Sequence, residues 1–74
     1  MIMNYYVAKG PIRKYCYDWL YSYYEVSPTL EARVFRIFHS GRTEQSTIRC
    51  ISLGYIRKYC KKITKEEYES IFEL

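Results

Sequence analysis

The sequence predicts a small α+β domain, a curved antiparallel sheet of four or five strands carrying a short C-terminal helix. Three observations predict it. Thr64-Lys-Glu-Glu67 has the form of a helix-starting capping box. Two runs rich in β-branched and aromatic residues, Leu30–His39 and Ser46–Leu53, flank the polar stretch 40–45 in the manner of a hairpin. Tyr15, Tyr17, Trp19, Tyr21 and Tyr23 set five rings at every second position, the period of a strand.

In chain order, Met3–Lys9 reads as a first strand closed by a turn at Lys9-Gly10-Pro11. The aromatic row follows, and the even positions between Lys14 and Tyr24 are mixed and partly polar. A helical stripe through Ile12, Tyr15, Cys16, Trp19, Leu20 and Tyr23 competes, with Pro11 tolerable at a first helical position. Tyrosine and tryptophan favour strands, so strand is the reading adopted. A row of alternating rings is more often the buried face of a small sheet than an exposed platform, and it is expected here to stand in for an aliphatic core.

Ser27-Pro28-Thr29 then breaks the chain, because proline lacks a donor and turns the preceding residue away from helix. Gly41 supplies the turn of the hairpin. At the C-terminus Thr64 caps a helix expected over Lys65–Glu73. Ile63 and Tyr68 have the spacing of a hydrophobic staple, and Glu66 and Glu67 complement the positive end of the helix dipole. Tyr68, Ile71 and Phe72 share one face, and so short a helix needs that face docked to persist.

A short repeat links two parts of the chain: Gly10-Pro-Ile-Arg-Lys-Tyr-Cys16 and Gly54-Tyr-Ile-Arg-Lys-Tyr-Cys60 agree at six of seven positions. Either both copies enter the sheet as strands after a glycine turn, or the match is coincidence in a chain rich in tyrosine and lysine. Ile56, Tyr59, Cys60 and Ile63 also form a helical stripe, although the capping box that follows argues against one continuous helix.

Seventy-four residues make one domain with a shallow core, and ten tyrosines, three phenylalanines and one tryptophan are the means by which it gains buried area. All twelve Lys and Arg lie in residues 1–65 with only four acids, a net of +8, and the other four acids fall in the last nine residues. A basic body with an acidic end suits an anionic partner. Cys16, Cys50 and Cys60 are odd in number and widely spaced, with His39 the sole histidine, so free thiols are expected and neither a metal nor another cofactor. The N-terminus has no signal-like apolar run and no stretch is long enough to span a bilayer, so no membrane association and a cytoplasmic setting are expected.

Catalysis fits poorly. His39 has no acid near it in sequence, and Gly10, Gly41 and Gly54 are isolated, so they form no phosphate-cradling loop. The expectation is a non-enzymatic binding protein. Nucleic acid is the first choice of partner, with phosphates met by Arg13, Lys14, Arg49, Arg57, Lys58, Lys61 and Lys62 and contacts from Tyr17, Trp19 and Tyr21. The second is a protein-interaction module or inhibitor of the kind small phage and mobile-element proteins provide. It includes a homodimer formed through an unpaired sheet edge, because Tyr, Trp and Arg also dominate protein interfaces.

Overall fold

The computed structural model describes residues 2–10 and 19–73. Five strands, β1 (Asn4–Lys9), β2 (Trp19–Val26), β3 (Ala32–Phe38), β4 (Thr43–Ile48) and β5 (Cys60–Ile63), form one antiparallel sheet in the order β4-β3-β2-β1-β5. Among the described residues two short helices accompany it: α1 (Leu53–Tyr59) and α2 (Lys65–Ser70), the latter running into a 3-10 turn at Ile71–Glu73. The expected α+β class and C-terminal helix are present, and the sheet has five strands.

Register decides the two faces, because residues directly opposite in an antiparallel pair project to the same side. One row runs Lys62, Tyr6, Tyr24, Val34, Ser46 and the next on the same side Cys60, Ala8, Ser22, Arg36, Glu44. Ile51 and Ile56 pack on this face, and with Ala8, Tyr24, Val26, Ala32 and Val34 they make the core. The opposite face carries Tyr5, Val7, Tyr21, Tyr23, Phe35 and Ile37, and α2 covers one end of it. Tyr68 lies 4.9 Å from Tyr5 and Phe72 5.0 Å from Phe35, ring centre to ring centre.

The aromatic row is therefore corrected in two respects. Within β2 the buried positions are the even ones, Ser22, Tyr24 and Val26, while Tyr21 is exposed and Tyr23 half-buried. The register also shifts between Trp19 and Tyr21, a bulge that sets Trp19 opposite Phe38 on the core face. Trp19 and Tyr21 thus part company, and a single aromatic face does not form. The earlier members, Tyr15 and Tyr17, lie outside the described residues, as do Arg13, Lys14 and Cys16.

The hairpin is tighter and earlier than the polar run suggested. Gly41 takes φ +88 and donates its N–H to the Phe38 carbonyl, while Phe38 donates to that of Arg42, both at 2.9 Å. That closes a short loop at His39-Ser40-Gly41 and leaves Thr43, Glu44 and Gln45 free to enter β4. The strand expected at Ser46–Leu53 consequently ends at Ile48, and Ser52 opens α1 by accepting the Tyr55 N–H at 3.2 Å. The second copy of the repeat lies in α1 and the first residue of β5, and the first copy, apart from Gly10, lies outside the described residues.

Two local features hold the sheet ends. A Cβ at Gly10 would collide with the backbone carbonyl of Trp19, so close approach, rather than a special φ, demands glycine there. Leu30 adopts φ +67, and its carbonyl accepts the Ile51 N–H at 2.9 Å, tying the loop after β2 to the segment that leads into α1. The capping box of α2 is complete: Glu67 N–H donates to the Thr64 hydroxyl at 3.1 Å and Thr64 N–H to the Glu67 carboxylate at 3.3 Å.

Candidate nucleic-acid interface

The short strand β5 leaves α1 with no intervening loop, so the Arg57-Lys58 pair of the helix and the Lys61-Lys62 pair of the strand are carried on one edge of the molecule. All four side chains are exposed. Alternation sends Lys61 to the α2 side and Lys62 to the α1 side, so the edge is positive on both faces. Lys9, exposed at the end of β1, extends the group. Arg49 stands apart, beyond β4 on the opposite edge, roughly 19 Å away across four strand spacings. Four of the expected cations are thus gathered, Arg49 is not, and Arg13 and Lys14 lie outside the described residues.

Beside this edge is an aromatic hollow of about 300 Å³ lined by Lys9, Gly10, Trp19, Tyr55 and Tyr59. Tyr59 is 57% exposed, which makes it the most accessible ring among the described residues. Its ring centre lies 5.2 Å from that of Tyr55, the two planes tilted by 41°, with the Lys58 ammonium 5.3 Å from its ring centre. Tyr55 in turn packs edge-on to Tyr24, their hydroxyls hydrogen-bonded at 3.1 Å. Burial, then the Tyr24 hydrogen bond and the neighbouring Tyr24 phenol and Cys60 thiol, push the Tyr55 phenol well above its ordinary value, so this wall stays neutral.

Trp19 and Tyr55 also line a second, shallower hollow of about 420 Å³ with Arg36, Cys50 and Ser52 among its walls. Arg36 sits on the core face, and its Nε is buried without a hydrogen-bond partner among the described residues. A guanidinium edge therefore lies on the far side of the same two rings. Trp19, expected as a contact, takes part from the core face; Tyr21, the other expected contact, lies on the opposite face beside Tyr23 at 6.2 Å. Tyr17 lies outside the described residues.

Lys9, Arg36, Tyr55 and Tyr59 were not singled out in the sequence as contacts. The helical stripe contained Tyr59, but stripe membership implied burial, and its exposure follows only from α1 ending where β5 begins. Of the thiols, Cys60 is half-buried and raised by that burial, and Cys50 is exposed; both are free. Among the described residues no three His, Cys, Asp or Glu side chains gather in a way that would hold a metal ion, and no helix is long and apolar enough to cross a membrane.

No protein-family model, curated protein or solved structure matches the chain.

Proposed function

We propose that this domain is a non-enzymatic binding protein for single-stranded nucleic acid, using the α1–β5 edge. The observation that carries the reading is the juxtaposition at Tyr59: an exposed ring over an aromatic-walled hollow, with Lys9 in the wall and Lys58 above the ring. A base stacks on such a ring whatever its identity, because every base has a π-face, and the flanking cations meet the phosphates. Arg57, Lys58, Lys61 and Lys62 supply an electrostatic track on either side of the edge, and Lys9, paired with Tyr21, adds charge on the α2 side. A duplex would hide the faces of its bases from the ring, so a single strand is the form that fits. The exposed free thiol of Cys50 suits a reducing, cytoplasmic setting.

Anisotropy titration of a labelled mixed-sequence oligonucleotide across a salt series tests this. Binding weakens linearly in log–log form, by about 0.7 of a decade per decade of salt for each phosphate neutralised. Tyr59→Ala lowers affinity by about 1–3 kcal/mol and leaves the salt slope unchanged. Lys61→Gln with Lys62→Gln flattens the slope instead. Absence of binding at low salt, or a Tyr59→Ala protein that binds as well as the original, would sink the proposal.

A further inference from the structure

The two edges of the sheet are built differently. On β5 the edge is four residues long and carries Lys61 and Lys62, the short, lysine-bearing form that resists pairing with another strand. On β4 it is six residues, Thr-Glu-Gln-Ser-Thr-Ile, without lysine, arginine or proline, and exposed from Thr43 to Thr47. No helix lies against that edge among the described residues; a hollow of about 530 Å³ lined by Phe35, Gln45, Thr47, Tyr68 and Phe72 opens beside it.

The hydrogen-bond phase of β4 follows from its hairpin. Phe38 and Arg42 close the ladder with the bond from Phe38 N–H to Arg42 C=O. Counting along the register in twos, Glu44, Ser46 and Ile48 turn their backbone groups inward to β3. Thr43, Gln45 and Thr47 therefore turn theirs outward, each with one donor and one acceptor and no partner in the sheet. We propose that this edge pairs with the β4 edge of a second copy of the chain, antiparallel about a two-fold axis through Gln45, to make one continuous ten-stranded sheet.

The register is chosen by the residues. Centred on Gln45, the pairing sets Gln45 against Gln45 of the second copy and Thr43 against its Thr47, so every outward group on both strands is used. Glu44 then faces Ser46 of the second copy, with no like charges opposed. Centring on Glu44 would place two glutamates directly opposite, which is unfavourable. Centring on Ser46 would leave Thr43 beyond the paired segment. The chosen pairing also extends one cross-strand row through Phe35 and Gln45 into the matching residues of the second copy, beneath Phe72, which is 47% exposed. Both α2 helices then lie on the same side of the joined sheet, since the axis is normal to it. The basic β5 edges end up at the two far sides, free to bind.

Sedimentation equilibrium over a concentration series reads the mass, with the expectation that it rises from the 9.0 kDa of one chain to twice that. Gln45→Pro removes an N–H that has no partner among the described residues, so the variant keeps its ladder to β3 and sediments as a monomer. Gln45→Lys opposes two cations on the axis and gives the same loss, partly restored by salt, should the proline disturb the strand. Amide exchange by NMR fixes the register: protection of Thr43, Gln45 and Thr47 grows with protein concentration, while that of Glu44, Ser46 and Ile48 is independent of it. A wild-type chain that stays monomeric at high concentration overturns the proposal. A dimer whose Thr43, Gln45 and Thr47 amides still exchange freely overturns it equally.

Discussion

The two faces of the sheet solve the problem of a short chain in different ways. On the α1 face small or branched side chains, Ala8, Ser22, Ala32 and Val34, stand among the rings of Tyr6, Trp19, Phe38 and Tyr24, the last left 1% exposed. On the α2 face almost every contact is ring against ring: Tyr5 on Tyr68, Tyr68 on Phe72, Phe72 on Phe35. The first is a packed core. The second is an aromatic seam that closes only where α2 reaches, so Tyr21, Tyr23 and Ile37 remain partly open to solvent beyond it. A helix of six residues has no more surface than this to offer. The lesson is that a high aromatic content does not by itself make an aromatic core; most of the burial falls to the face with the small residues, because they allow α1 to approach.

Removing one ring from each face is the strongest way to break that comparison. Tyr24→Ala empties a site in contact with both the sheet and Tyr55, and a loss of about 3–5 kcal/mol is expected in urea unfolding. Tyr68→Ala frees α2 from Tyr5 with a loss of about 2 kcal/mol, because the seam already admits solvent at its edge. Equal losses from the two variants would show that the faces do not differ in kind.

A smaller effect sharpens the account of the core face. The Ser22 hydroxyl is wholly buried, opposite Ala8 and Arg36, and has no hydrogen-bond partner among the described residues. Ser22→Ala removes that unmet group at nearly constant shape and is expected to stabilise the fold by about 1 kcal/mol, read as a higher urea midpoint at unchanged slope. A destabilised variant would mean that the hydroxyl is satisfied in solution, for instance by water.

The last effect is absent at neutral pH and appears on the alkaline side. Burial raises the phenols of Tyr55 and Tyr68, assisted by the Tyr24 hydrogen bond in the first case and by the nearby Glu25 carboxylate in the second. The folded state then holds these protons more tightly than the unfolded chain does. Stability from this source is constant below the unfolded value near 10 and falls as pH rises through it. Unfolding midpoints measured between pH 8 and pH 11 should show the decline, and Tyr55→Phe should make it shallower.

How much of this was legible in the sequence varies by element and has physical causes. The start of the C-terminal helix was legible, because it depends on Thr64 and Glu67, partners three residues apart, while the stretch expected to stay α-helical to Glu73 tightens to a 3-10 turn from Ile71. The first strand was legible to one residue, and Gly41 correctly marked the turn. The second hairpin strand was misplaced, since Thr43, Glu44 and Gln45 are polar and an exposed edge strand needs no apolar alternation to pair on one side. Helix α1 was ambiguous because Ile56, Tyr59 and Cys60 fit a helical stripe while the Ser52 cap looked like the end of a strand. In the candidate site, Arg57, Lys58, Lys61 and Lys62 were visible as charge, whereas Lys9, Tyr55 and Tyr59 acquire their place only when β5 pairs with β1.

What the sequence determined by itself was local: the capping box, the hairpin glycine, the alternation that makes strands, and an excess of positive charge over the body. Only the tertiary structure decided which face of each strand is buried. Side-chain parity in a sheet is inherited through register from strand to strand, and one bulge between Trp19 and Tyr21 is enough to send neighbouring aromatic residues to opposite sides. The same inheritance leaves Thr43, Gln45 and Thr47 with their backbone groups turned outward, a property set by the closing pair of a hairpin and by no single residue in the strand.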